Sequence, residues 1–235
     1  MRVKLLLALS LFCPATILGQ KFTNYFNGEP DCYDSFMSGI FRFAISDTLN
    51  MEVCLITSQN VDGEIIISEN VISPDNKKYT VTSIASQAFM SAKRLKSIVV
   101  PNSVKAIGTL AFAFCDSLES VVLSNKIEQI PDACFKQCKS LDNIIPGSVV
   151  SIGELAFEGC AFKSVILTDN LVSISEQAFC YCDSLRNIFN YSISPQLISN
   201  DTFIGCHNVV LHVKQGYHEP YRSSLWSRFI IKDDI

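Results

Sequence analysis

Cysteine and histidine are the residues in this chain whose types could do chemistry, and their spacing decides which chemistry is open to them. A thiolate can attack a carbonyl, hold zinc or form a disulfide. Ten cysteines are present, nine of them beyond residue 19: Cys32, Cys54, Cys115, Cys134, Cys138, Cys160, Cys180, Cys182 and Cys206. For metal, Cys180-x-Cys182 and Cys206-His207 are the nearest candidates, and neither is the C-x-x-C pairing that zinc sites favour. Hydrolysis would need a Ser or Cys nucleophile with a histidine base. The three histidines, His207, His212 and His218, crowd one end of the chain. There is no G-x-S-x-G, no phosphate loop and no repeated acidic pair. The expectation is a protein that is not an enzyme, with no catalytic residue, no metal and no cofactor.

Five of the cysteines share a different logic. The phrase Ile, four residues, Phe, then a small residue or Cys three places on occurs six times: Ile84…Phe89…Ala92, Ile107…Phe112…Cys115, Ile130…Phe135…Cys138, Ile152…Phe157…Cys160, Ile174…Phe179…Cys182 and Ile198…Phe203…Cys206. The phenylalanines lie 23, 23, 22, 22 and 24 residues apart. A fixed period near this length means a solenoid, one coil per repeat. The cysteines then form a column, one per coil, at a site that Ala92 fills in the first repeat. A site taking either residue is small, buried and apolar, so the column reads as free thiols rather than bridges. Nine is also odd, so one thiol has no partner within the chain.

The elements that position these residues follow from the grammar inside each repeat. An apolar residue opens each strand: Leu95, Leu118, Leu141, Phe162, Leu185 and Val209. Another follows three places on: Ile98, Val121, Ile144, Val165 and Ile188. This L-x-x-I-x-L text predicts one short strand per coil in a single parallel sheet, with a short helical turn on the opposite side. The fold class is a leucine-rich-repeat solenoid of about six 22–24-residue coils, capped at both ends. Residues 84–207 hold the repeats. Residues 20–83 are a polar leader and an N-terminal β cap with strands at Phe36–Ile45, Met51–Thr57, Glu64–Ile67 and Tyr79–Val81. Residues 208–235 are a C-terminal cap carrying Tyr221, Trp226 and Phe229.

Residues 1–19 have the layout of a secretory signal peptide, with Arg2 and Lys4 before the apolar run Leu5–Phe12 and cleavage near Gly19/Gln20. Lipidation at Cys13 is disfavoured because Ser10-Leu11-Phe12 lacks the small residue expected before it. The chain is therefore expected to be exported. No other segment has the roughly 20 apolar residues of a transmembrane helix. Removing the first 19 residues leaves 17 Lys+Arg against 23 Asp+Glu, a net charge of −6. That charge is spread out, and no basic run suggests nucleic acid.

The residues Ile107–Leu123, I-G-x-x-A-F-x-x-C-x-S-L-x-S-V-x-L, resemble the BspA-type leucine-rich-repeat family, whose members are secreted proteins of Bacteroides-group bacteria and of some parasitic protists. Gly63–Ile67 with Lys78–Ile84, and Val209–Val213 with Tyr221, Trp226 and Phe229, resemble that family's approach to the first coil and its ending. Departures are Ala92 for the first cysteine, Ile130-Pro131 for Ile-Gly, and the shortened strand at Ile145-Pro146. The resemblance implies a binding or adhesion role and supplies no catalytic residue.

A binding role needs a surface, and strand alternation points two columns outward on the concave strand face. One reads Ser97, Ser120, Asn143, Ser164, Asn187; the other reads Val99, Val122, Ile166, Phe189, with Tyr191 beside it. The second is the candidate binding row: Val99, Val122, Ile166, Phe189 and Tyr191. An apolar row on an open sheet is one signature of a partner site; the plainer reading is that β-branched residues suit sheets and stabilise their neighbours. The expected partner is a protein or a glycan, with self-association into a structural surface protein as the alternative.

Overall fold

Every period closes into one coil with three sides, and the coils stack side on side. A computed structural model describes residues 35–58, 61–142 and 144–235. The expected signal segment 1–19, most of the polar leader, Cys32 and Asn143 lie outside the described residues.

The first side is the strand face. Asp62–Ile66, Arg94–Val99 and Ser120–Val122 run parallel, in register as Ile65–Ile98–Val121. Ser164–Leu167, Asn187–Asn190, Val210–Val213 and Ile230–Asp233 form a second parallel sheet, in register as Val165–Ile188–Leu211–Ile231. The single sheet expected from sequence is thus two, broken at the coil of Leu141–Pro146. The cause is local. Val100 donates its N–H to the Val122 carbonyl of the next coil at 2.8 Å. Pro146 holds the equivalent place and has no N–H to donate.

Two further expectations change at the ends of this face. Asp62–Ile66 belongs to the solenoid rather than to a separate cap, so the solenoid has about seven turns. Val209 does not open its strand in step with Leu185, because Val210 pairs with Asn187.

The second side is a ladder of two-residue strands. Ser83–Ile84 pairs parallel with Ala106–Ile107, and Gln129–Ile130, Ser151–Ile152 and Ser173–Ile174 pair in turn. The third side is made of tight turns where the repeat text suggested a helical stretch. Phe89, Phe112, Phe135, Phe157 and Phe179 each send their N–H to a carbonyl of the next coil, Phe112 to Cys134 at 2.9 Å, instead of back along their own chain. The bends between these bonds use left-handed backbone, two residues per turn: Leu110 and Phe114, Ala133 and Gln137, Leu155 and Gly159. Non-glycine residues visit that region rarely. Repetition of the bond pattern holds them there.

The N-terminal block is a sheet in the order Ser35–Ser38, Phe41–Asp47, Glu52–Ser58, Lys78–Ile84, Asn70–Ile72. The expected single strand from Phe36 to Ile45 is a hairpin, because Gly39 (φ 61°) opens a two-residue turn between Ser38 and Phe41.

The core runs the length of the stack as a column of phenylalanines. Phe89, Phe112, Phe135, Phe157, Phe179 and Phe203 stack with successive ring centroids 5.1, 5.2, 5.6, 5.2 and 5.2 Å apart. All six are buried. Phe41 closes one end, edge-on to Phe89 at 6.1 Å. Trp226 and Phe229 close the other, 5.6 and 5.4 Å from Phe203. Trp226 sits in a short 3-10 turn, Leu225–Arg228, which the Ser224 side chain caps by accepting the Trp226 N–H. Its indole donates to the Gln196 carbonyl at 3.0 Å, and the Tyr221 hydroxyl donates to the Ser192 carbonyl at 2.8 Å. Among the described residues no helix is long and apolar enough to cross a membrane.

Candidate binding surface

The cysteine column comes first, because it tests whether chemistry hides in the core. Cys115, Cys138, Cys160 and Cys182 are buried, Cys206 is half-buried, and all five are unpaired, as are Cys54, Cys134 and Cys180. Each thiol of the column faces the carbonyl of the spine phenylalanine one coil back. Cys115 Sγ donates to Phe89 O at 3.2 Å, Cys138 to Phe112 O at 3.1 Å, and Cys160, Cys182 and Cys206 to Phe135 O, Phe157 O and Phe179 O at 3.2 Å. The Phe89, Phe135, Phe157 and Phe179 carbonyls already accept an N–H within their own coil, as Phe135 O does from Cys138 N. The thiol fills the second lone pair. Sequence reasoning treated this place as merely apolar, and the hydrogen bond is what Ala92 cannot supply. Burial pushes the Cys160 and Cys182 thiols up, Cys54 to about 12, and Cys180 and Cys206 to about 11. Thiols held neutral in this way are poor nucleophiles and poor ligands. Among the described residues no group of three or more His, Cys, Asp or Glu is placed to hold a metal ion.

What remains is the strand face. Register places Val99 beside Val122 in one sheet, and Ile166 beside Phe189 in the other. Val122 is 54% exposed, Ile166 41% and Tyr191 41%, with Val99 just exposed. Phe189 differs from its expected role. It is half-buried because its ring stacks on His212, centroids 4.6 Å apart and 20° from parallel. His212 is itself fixed from both sides, Nδ1 at 2.8 Å from Asp234 Oδ1 and Nε2 at 3.1 Å from Asn187 Oδ1.

The row is longer than the sequence revealed. Ile66, 75% exposed, is in register with Val99 and opens it. Ile145 follows the buried Ile144 and lies half-buried in the interrupted coil. His212 and Lys232 continue it beyond Phe189. Glu64-Ile65-Ile66 does follow the grammar of Ser97-Ile98-Val99, but residues 67–82 are inserted before the next repeat and hide the period.

Beside the apolar row, across the Ser and Asn column, runs a charged one. Lys96, Glu119, Asp142, Lys163 and Arg186 each precede the Ser/Asn position of their coil, and all are exposed. Backbone bonds fix the order: Glu119 N–H donates to Lys96 O at 2.8 Å and Arg186 N–H to Lys163 O at 3.0 Å. Asp142 Oδ1 accepts the Lys163 N–H at 2.8 Å.

Comparison with known proteins agrees with this architecture. Residues 68–186 and 142–213 match the BspA type leucine rich repeat region, in six copies. A leucine-rich repeat protein from Bacteroides ovatus is similar over 77% of this chain and 49% of its own, at 25% identity and a TM-score of 0.67. The chain thus spans about half the length of that protein. The T. pallidum leucine rich repeat protein is similar in fold over 77% of this chain and 81% of its own, at 22% identity and a TM-score of 0.63. Among curated proteins there is no match.

Proposed function

The chain belongs to the BspA-type leucine-rich-repeat family, and from that premise we propose that it is an exported protein, displayed at the cell surface, that works by binding a protein partner on its strand face. The observation that carries this reading is the exposed row Ile66, Val99, Val122, in register on successive strands, with Ile166 exposed at the matching place of the second sheet. An apolar row of this length on an open sheet costs solubility unless something covers it. Export is supported by the apolar, positively led segment at residues 1–19. A protein ligand fits better than a glycan, because sugars are held on free aromatic faces and one face of Phe189 is taken by His212.

The test is Val122→Ser with Ile166→Ser, assayed against immobilised extracellular-matrix proteins and mucins beside the unmodified protein. Both side chains are exposed, so the circular dichroism spectrum and melting temperature should be retained. Binding should fall at least tenfold, roughly the loss of two interface contacts of about 1 kcal/mol each. Unchanged binding by the folded double variant removes the strand face as the working surface. Phe189 is a poorer choice for this test, since its replacement would also free His212.

A further inference from the structure

We propose that the strand face pairs with the same face of a second copy of this chain, about a two-fold axis parallel to the strands and lying between the coils of Asp142 and Lys163. This names the partner of the surface described above and rests on that surface being the working one.

The argument is the order of charges along the exposed row. From one end it runs Lys96, Glu119, Asp142, Lys163, Arg186, and the next place is Val209. An axis between Asp142 and Lys163 reverses this order in the second copy. Asp142 of one copy then faces Lys163 of the other, Glu119 faces Arg186, and Lys96 comes opposite the place of Val209, which is buried and offers no charge. Every charged pair is of opposite sign, and each occurs twice, as a two-fold contact requires. The same operation keeps the strand direction, so the row meets itself and is apolar on both sides in the central four coils. Ile145 comes opposite Ile166, and Val122 opposite Phe189. Towards the ends of the face Val99 comes opposite His212 and Ile66 opposite Lys232, while Glu64, in the Ser and Asn column, comes opposite Ile230, so the match is confined to the central four coils. Moving the axis half a coil to either side breaks the match. Centred on Asp142 it sets Glu119 against Lys163 but Lys96 against Arg186; centred on Lys163 it sets two acidic residues against basic and apolar places and leaves Lys163 facing itself.

The face is eight coils long, about 34 Å at the usual strand spacing of ~4.8 Å. That is the small end of specific interfaces, so the pairing should dissociate at micromolar concentrations and strengthen at low salt.

The experiment is sedimentation velocity over a concentration series, on the unmodified protein and on Glu119→Arg, Arg186→Glu and the double variant carrying both. Both residues are exposed, so all three variants should fold. The unmodified protein should show a monomer–dimer equilibrium. Each single variant sets like charges opposite twice and should weaken it at least about tenfold. The double variant reverses both members of each pair and should restore it. An equimolar mixture of the two single variants should form the heterodimer. A unmodified protein that stays monomeric at the highest concentration overturns the proposal. So does a dimer that the single variants leave intact, which would mean another surface is in contact. A monomer whose matrix binding still depends on Val122 and Ile166 would overturn the pairing alone and leave the binding surface standing.

Discussion

Phe135 and Cys138 sit three residues apart, and they show how differently two buried side chains in one coil can matter. The Phe135 ring is sandwiched between Phe112 at 5.2 Å and Phe157 at 5.6 Å. Phe135→Ala would open a cavity in the middle of the spine, where neighbours on both sides are held by their own stacks and cannot collapse into it. The expected cost is about 3–5 kcal/mol. Cys138→Ala removes a sulfur and one S–H donation to Phe112 O. The first coil carries Ala92 at the same place, so the smaller side chain fits the repeat. The expected cost is on the order of 1 kcal/mol. Urea denaturation of both variants checks the pair, and a Cys138→Ala loss as large as that of Phe135→Ala would show that the thiol column carries more than packing and one hydrogen bond. The identity of the column was legible in the repeat text because Ala and Cys alternate at one place. The thiol–carbonyl bond was not, because nothing in a single coil shows that the acceptor lies in the coil before.

At the scale of elements, the strands, their order and the buried positions could be read from sequence, since each follows from a side-chain pattern of fixed period. Three features could not. The split of the sheet depends on which N–H the next coil needs, and only the register reveals that Pro146 stands there. The hairpin at Gly39 keeps the alternation of Phe41, Phe43 and Ile45 while reversing the chain just before it. The left-handed turns carry Leu, Phe, Ala, Gln and Tyr, which no turn preference would select. The exposed apolar row was half legible: its repeated members could be read from the strand text, whereas Ile66 lay beyond the inserted segment. The glycines give a test at this scale. A Cβ on Gly108 would run into the Ser86 backbone of the preceding coil, and backbone cannot step aside. A Cβ on Gly147 would meet nothing within 4 Å. Gly108→Ala should therefore destabilise by more than about 1 kcal/mol, while Gly147→Ala should be neutral or slightly stabilising. Thermal melts of the two variants, side by side, decide whether coil-to-coil approach sets the glycine in the repeat.

For the molecule as a whole, the consequence of stacking is that each coil touches only its neighbours, so stability is a sum of coils and interfaces taken in order. The ends then matter more than their size suggests. Trp226 covers the last ring of the spine, Phe203, and its indole ties the 3-10 turn to the Gln196 carbonyl. The same loop is anchored a second time by Tyr221 on Ser192, and inside it Asn190 and Gln196 exchange amide hydrogen bonds at 2.7 and 3.1 Å. Trp226→Ala would uncover Phe203 and leave a buried carbonyl without its donor, at a cost of about 3–5 kcal/mol. In a protein with one undivided core, that loss would lower protection everywhere alike. In a stack it should not. Coils near the defect lose a neighbour, while those near Phe89 keep both of theirs and the closing ring of Phe41. Hydrogen exchange of the Trp226→Ala protein should therefore rise most in the strands at Asn187–Asn190 and Val210–Val213, less at Ser164–Leu167, and little at Arg94–Val99. A uniform rise across all four strands would mean that the coils unfold as one unit and that the nearest-neighbour description of this solenoid is wrong.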